Sequence, residues 1–138
     1  MTESAPLIAV LNSSSEVIRI LRETLEEDGF RTVGYHVGSA QSGEETAEAF
    51  FARYRPRVAI YDISIPYDRN WQVFLDFATS EAANGCRFVL TTTNKRALEE
   101  IVGPTGALEI IGKPFDLEEV VRAVRRALEG SEPRPASR

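Results

Sequence analysis

The chain of 138 residues has one cysteine, Cys86, and one histidine, His36. A single cysteine closes no internal disulfide. Together the two cannot build a zinc finger or a His-Cys catalytic pair. No apolar run approaches the roughly 20 residues that a membrane-crossing helix needs. The opening residues, Met1 to Pro6, carry Glu3 and no positive segment ahead of an apolar stretch, so no secretory signal is expected and the expected compartment is the cytoplasm. Basic residues are outnumbered, 16 against 21 acidic, and the net charge of −5 disfavours direct nucleic-acid binding, which rests on clustered Lys and Arg neutralising phosphates. Internal repeats and low-complexity core segments are missing too. What is present is a globular balance of 43% hydrophobic and 27% charged residues. At this length it fits one domain, expected over residues 7–129, with a short extension at 1–6 and a disordered tail or linker start at 130–138.

Apolar runs rich in branched residues recur at Leu7 to Leu11, Phe30 to Tyr35, Arg57 to Tyr61, Arg87 to Thr91 and Leu108 to Ile111, and read as five strands. Helical spacing fills the intervals. In the last interval Leu117, Val120, Val121, Val124 and Leu128 form one stripe, with Asp116 and Glu119 as a capping pair and Gly130 as the stop. In the first, Ser13 to Glu16 offer a capping box, Val17, Ile20, Leu21 and Leu25 the stripe, and Gly29 the end. A second helix is predicted from Glu44 to about Tyr54, boxed by Ser42 and Glu45 and facing inward through Ala47, Phe50, Phe51 and Tyr54. A third is predicted over Trp71 to Ala83, and a fourth over Lys95 to Val102 before Gly103-Pro104. Strands alternating with helices imply an α/β fold, a doubly wound parallel sheet covered on both faces, with the functional site at the carboxyl ends of the strands.

Three side chains converge on that rim: Asp62 at the tip of the third strand, Thr91 to Thr93 closing the fourth, and Lys113 after the fifth. The stretches Val58-Ala59-Ile60-Tyr61-Asp62-Ile63-Ser64-Ile65-Pro66 and Gly112-Lys113-Pro114-Phe115-Asp116, at this separation within a five-fold alternation, resemble the receiver domain of two-component response regulators. The resemblance spans about residues 7–129. It implies a flavodoxin-like (β/α)5 sheet of strand order 2-1-3-4-5, with Asp62 as phosphoacceptor, Lys113 as the phosphoryl contact and Thr92 as the threonine that reports modification. It also implies a protein partner: a histidine kinase, a phosphotransfer protein or an output protein. The fourth helix, fifth strand and fifth helix would form the output surface, which makes Arg122, Arg125 and Arg126 interface candidates and homodimerisation through the last helix an option.

The sequence departs from the family where metal should bind. The acidic pair that holds Mg²⁺ at the end of the first strand is replaced by Asn12 and Ser13. Mg²⁺ is usually held through one or two carboxylates plus phosphate oxygens, so its binding is expected to be weak or absent; Asn12 still offers an amide oxygen, and Glu16 and Asp68 are near enough in sequence to swing inward. The family's aromatic switch position reads Ile110, and the glycine after the strand-three loop reads Asn70, which tolerates a left-handed backbone. These departures point to a pseudo-receiver: a non-enzymatic module working by protein contact with phosphorylation reduced or lost. A functional phosphoacceptor is the alternative. A second alternative is a flavodoxin-like anion or small-molecule binder using Ser13 to Ser15, whose plainer role is helix capping. An ion pair between Asp62 and Lys113 is expected under any of these. Tyr67 and Trp71 are recognition candidates, with packing at the start of the third helix as the plainer role for Trp71; Cys86 is read as core and His36 as a solvent-facing residue.

Overall fold

The computed structural model describes residues 5–37, 45–103 and 109–129. Within them, strands β1 (Leu7–Asn12), β2 (Arg31–His36), β3 (Val58–Ile63), β4 (Arg87–Thr92) and β5 (Glu109–Gly112) alternate with helices α1 (Ser15–Glu27), α2 (Ala47–Tyr54), α3 (Tyr67–Ala78), α4 (Lys95–Val102) and α5 (Leu117–Glu129). All five strands pair in parallel in the order β2-β1-β3-β4-β5. The alternation is the one read from the residues, and the strand order is the one the family resemblance implied. The start at residues 1–4, the tail at 130–138, Ser42, Glu44, Leu108 and Gly130 lie outside the described residues.

Each central strand feeds two cores, because successive side chains point to opposite faces of a sheet. Ile8, Val10, Val58, Ile60, Val89 and Ile111 face α1 and α5, where Leu21, Leu25, Val120 and Val124 close over them. Ala9, Leu11, Ala59, Phe88 and Leu90 face α2, α3 and α4, which supply Phe50, Phe51, Phe74, Phe77 and Leu98. Helix α1 buries Ile18, Leu21 and Leu25, spaced i, i+3 and i+7, so Ile18 holds the inner line while Val17 and Ile20 sit at its margins. In α5 the inner line includes the small residues Ala123 and Ala127, and Leu117 is exposed. Gly34 is required by the closeness of α1 to β2: a Cβ there would lie 2.6 Å from the Ile18 Cγ2 methyl.

Three helix starts differ from the sequence reading, each for a local reason. Ser14, not Ser13, caps α1, its hydroxyl accepting from the Val17 N–H at 3.2 Å; Glu16 then falls out of the box position and turns to Arg19 instead. Helix α2 begins at Ala47 because Thr46 accepts from the Ala49 N–H at 3.1 Å and supplies the cap nearer the helix. Helix α3 begins a turn early, at Tyr67 after Pro66, and stops at Ala78. There the Thr79 and Ser80 hydroxyls donate back to the carbonyls of Leu75 and Phe77 at 2.7 and 2.6 Å, taking acceptors that a continuing helix would use. Glu81–Ala83 form a separate 3₁₀ turn. Helix α4 keeps its predicted bounds, capped by Asn94 through the Ala97 N–H at 3.0 Å.

Candidate functional site

The carboxyl ends of β1, β3, β4 and β5 bring the predicted residues together. Asp62 is the next-to-last residue of β3 and its side chain is 10% exposed. Lys113 follows β5 directly; its backbone N–H donates to the Thr92 carbonyl at 2.7 Å, which fixes the loop beside the end of β4. From there the ammonium reaches Asp62 Oδ1 at 2.6 Å. Gly112, the residue before Lys113, packs closely against the start of α4, where a Cβ would sit 3.2 Å from the Lys95 Cβ. The expected Asp62–Lys113 ion pair is therefore present. Its geometry is that of a short charge-assisted hydrogen bond, roughly twice as strong as a neutral one.

The hydroxyl that reaches Asp62 belongs to Thr91. Its Oγ1 donates to Asp62 Oδ1 at 2.6 Å. Thr92, named from the family resemblance, is fully buried, and its Oγ1 accepts the Asn94 N–H at 3.4 Å at the entry to α4. Thr93 Oγ1 shares a hydrogen bond of 2.6 Å with the Tyr67 hydroxyl, tying the loop after β4 to the first turn of α3. Register explains the division: Asp62 pairs with Thr91 and Ile63 with Thr92, so the two threonines lie on opposite faces and only Thr91 shares the face of Asp62. The register is not written in the run of three threonines, so the sequence alone gave no way to choose among them.

Asn12 is buried at the end of β1, and its Oδ1 accepts the Ser14 N–H at 2.9 Å, turning the amide oxygen toward its own loop. Ser13 is exposed. Glu16 lies 3.9 Å from Arg19, and Asp68 Oδ1 accepts the Arg69 N–H at 2.9 Å; neither carboxylate is engaged with Asp62. The donor set does not fit Mg²⁺. The carboxylate carries two donors on one oxygen and the neighbouring amide oxygen already serves a backbone N–H, whereas the ion demands several free oxygens in near-octahedral array. Among the described residues no group of three or more His, Cys, Asp and Glu side chains is arranged to hold a metal.

The remaining candidates have definite places. The Ser14 hydroxyl is committed to the α1 cap. Ile110 packs into the aromatic-side core. Asn70 is helical with no positive φ, and its Nδ2 donates to the Ser64 carbonyl at 2.7 Å, so it holds the β3–α3 loop through its side chain. Trp71 stacks on Phe74 with ring centroids 5.4 Å apart, which accounts for it as packing. Cys86 is half-buried against the same core, and His36 is exposed at the end of β2. Arg122 lies 3.8 Å from Glu118, Arg126 bonds Glu109 at 2.9 Å, and Arg125 pairs with Asp28 while its guanidinium lies 5.4 Å from the Phe30 ring centroid. The hydrogen bond and charge of Glu109 push Arg126 above its ordinary value. No described helix is long and apolar enough to cross a membrane.

No protein-family model matches the chain. It is 27% identical over 126 residues to the transcriptional regulatory protein PdtaR of Mycobacterium tuberculosis, covering 91% of this chain and 58% of that protein. The chain thus spans a little over half the length of the curated relative. Among solved structures, a response regulator receiver protein from Sinorhizobium medicae superposes with a TM-score of 0.68 at 20% identity, covering 93% of this chain and 98% of the other. The Vibrio cholerae chemotaxis protein CheY4 gives 0.67 at 18% identity, over 89% and 98%. The fold is that of receiver domains.

Proposed function

We propose that this chain, with a receiver fold and likeness to a longer transcriptional regulator, is a signal-transduction module of a two-component or phosphorelay system acting through protein contacts. Magnesium-dependent phosphorylation of Asp62 is reduced or lost. One observation carries the reading: Asp62 Oδ1 is held by both Lys113 and Thr91, while the positions that should supply acidic metal ligands are Asn12, with its oxygen committed to Ser14, and Ser13. Phosphoryl transfer has little covalent work for a protein to do and depends on positioning and charge stabilisation, so removing the metal ligands removes most of the catalytic means. One lysine offsets one carboxylate and leaves nothing for an incoming phosphoryl group.

The module works in the cytoplasm, without enzymatic activity of its own and without direct contact to nucleic acid. Its partner is a histidine kinase, a phosphotransfer protein, an output protein or a second copy of the chain. The side chains of Arg122, Arg125 and Arg126 on α5, each more than half exposed, are the surface assigned to that contact. The test is intact-mass analysis after incubation with a small phosphodonor, with and without Mg²⁺, on the wild type and Asp62→Asn. No mass gain in a protein folded by circular dichroism is the expected result. A phosphoryl-sized gain that needs Mg²⁺ and vanishes in Asp62→Asn would restore the functional phosphoacceptor and overturn this reading.

A further inference from the structure

We infer that the amino ends of β1, β2 and β3 form a docking cleft for an acidic segment of a partner protein, one that carries a large apolar side chain between carboxylates and is held by Arg31 and Arg55. The inference rests on the reading of the chain as a module acting through protein contacts, and it adds a contact at the opposite end of the strands from Asp62.

The cleft opens at the outer edge of the sheet. The Arg31 N–H donates to the Pro6 carbonyl and the Arg57 N–H to the Leu7 carbonyl, each at 3.0 Å, so the starts of β2 and β1 and the turn between α2 and β3 lie side by side. A cavity of about 460 Å³ lies there, with Leu7, Phe30, Val33 and Tyr54 as its apolar lining and Glu26, Arg31 and Thr32 as its polar edge. A mostly apolar lining with a few placed polar groups is the make-up of a binding cleft. The Tyr54 ring packs on Phe50 with centroids 4.9 Å apart and still leaves 36% of the residue exposed to receive an apolar group.

The charges around the cleft are unevenly matched. Glu26 Oε2 accepts the Thr32 hydroxyl and lies 3.8 Å from Arg22, and Arg53 bonds Glu45 at 2.6 Å, so these charges are already answered. Arg31 and Arg55 differ. The Arg31 Nε donates to the Ala5 carbonyl at 2.8 Å, which fixes the plane of the guanidinium, while Nη1 and Nη2 meet no acceptor among the described residues. That remaining pair of nitrogens is the edge on which a carboxylate binds with both oxygens. Arg55, next to Tyr54, closes α2 in the left-handed conformation at φ 49° and ψ 59°, where glycine is usual. Its Nε is withdrawn from water without an acceptor, and its other nitrogens meet none among the described residues. An uncommon backbone state and an unmatched buried donor in one residue mark a side chain whose counter-charge the fold does not supply. Two unmatched guanidiniums beside an apolar lining select carboxylates flanking a large apolar side chain. Nucleic-acid affinity rests instead on many neutralised phosphates, which two arginines on a chain of net charge −5 do not provide.

The test is a titration of the ¹⁵N-labelled full chain, followed by NMR, with the capped peptide Glu-Glu-Phe-Glu-Glu and its Gln-Gln-Phe-Gln-Gln counterpart. Expected are shifts centred on residues 7, 31–33 and 54–57, saturating below about 1 mM at low salt with the acidic peptide and at least about fivefold weaker with the neutral one. Arg31→Ala and Arg55→Gly are each expected to weaken the acidic peptide at least about fivefold. Arg55→Gly removes the left-handed strain as well, so its Tm is expected to hold or rise. No shift at these residues up to about 5 mM overturns the inference, and so does a lower Tm in Arg55→Gly with peptide affinity unchanged, which makes Arg55 a packing residue. Three further outcomes overturn it by naming another occupant: tighter binding of a twelve-residue oligothymidylate at the same residues, affinity for the peptide raised about tenfold by Glu3→Gln, or a dimer in sedimentation that Arg31→Ala abolishes. Magnesium-dependent labelling of Asp62 sinks the metal-free reading and leaves the titration to decide the cleft, so the two failures are told apart.

Discussion

The two faces of the sheet are built from different materials. Toward α1 and α5 the buried side chains are aliphatic apart from Phe30. Toward α2, α3 and α4, five buried phenylalanines are joined by the half-buried rings of Tyr35, Tyr61, Tyr67 and Trp71. Phe51 meets Phe77 edge-on at 4.7 Å, Phe74 meets Phe88 at 5.0 Å, and Tyr61 meets Phe74 at 4.9 Å. The aliphatic side is set by helix-to-strand closeness, as at Gly34, and the aromatic side by the angles of large rings. Asp62 and Thr91 belong to the aliphatic side by alternation, while Thr92, Thr93 and Tyr67 tie the same rim to the aromatic side. The site thus stands at a seam between two differently packed cores, and perturbing either should report on it differently.

The largest effect is expected from breaking the ring network. Phe51 is fully buried and contacts Phe50, Phe77 and Phe88, so Phe51→Ala should cost about 3–5 kcal/mol, read as a lower midpoint of urea unfolding. Ile60→Val on the other face removes one methyl and should cost about 0.5–1.5 kcal/mol. A loss at Phe51 no larger than at Ile60 would mean the rings repack freely and the comparison has no energetic content. Next in size is Gly34→Ala, which forces a methyl toward the Ile18 Cγ2 only 2.6 Å away and should cost about 1–3 kcal/mol by overpacking. Adding Ile18→Leu, which removes that branch, should recover part of the loss; a purely additive double variant would place the strain elsewhere.

These contrasts also show what the amino-acid order makes legible. Apolar runs, helical spacing and stop signals located all ten elements, and the rough bounds read for α4 before Gly103-Pro104 coincide with the helix found. The convergence of Asp62, Lys113 and the threonine run followed from placing strand ends on one rim. What did not follow was which hydroxyl meets Asp62. The apolar pattern of Phe88 to Leu90 is continuous, as in any strand covered on both faces, so it carries no alternation from which to read the inward face of residues 91 to 93. The pairing of Asp62 with Thr91 is set by how β3 and β4 slide together, a long-range outcome. Helix starts failed for the opposite reason, being decided by one or two hydroxyl bonds. Several Ser and Thr near each boundary competed for them, as Ser14 did with Ser13 and Thr46 with Ser42. The turning of the Asn12 oxygen to Ser14 is equally local and equally hidden from composition.

Smaller effects come from the rims of the two faces, where each has an arginine lying over a ring. On the aliphatic side Arg125 pairs with Asp28 and sits 5.4 Å from the Phe30 centroid; on the aromatic side Arg53 bonds Glu45 at 2.6 Å and sits 4.5 Å from the Tyr54 centroid. Both arginines are exposed, so Arg125→Ala and Arg53→Ala should each cost about 0.5–1 kcal/mol at low salt. The ionic part should fade as salt is raised toward 1 M, where screening acts over about 3 Å. A loss that ignores salt would mean that the side-chain stems, not the charges, hold the rims.

The smallest effect at neutral pH, and the one that probes the aromatic side most directly, is expected from Tyr61. Burial pushes its phenol above the ordinary value of 10.0, with the charge of Glu48 and then Tyr35 adding to the rise. Below pH 10 folded and unfolded chains both keep the proton, so Tyr61→Phe should leave the pH dependence of stability unchanged there. Above that point the unfolded chain releases the proton while the folded chain still holds it. Folding stability should therefore fall as pH rises from about 10 toward the folded value, and Tyr61→Phe should remove that part of the slope. Thermal unfolding of both proteins from pH 8 to 11 measures the difference. Curves that stay parallel throughout would mean that the Tyr61 hydroxyl reaches water in the folded chain, with only its ring carried into the network of Phe74 and Phe77.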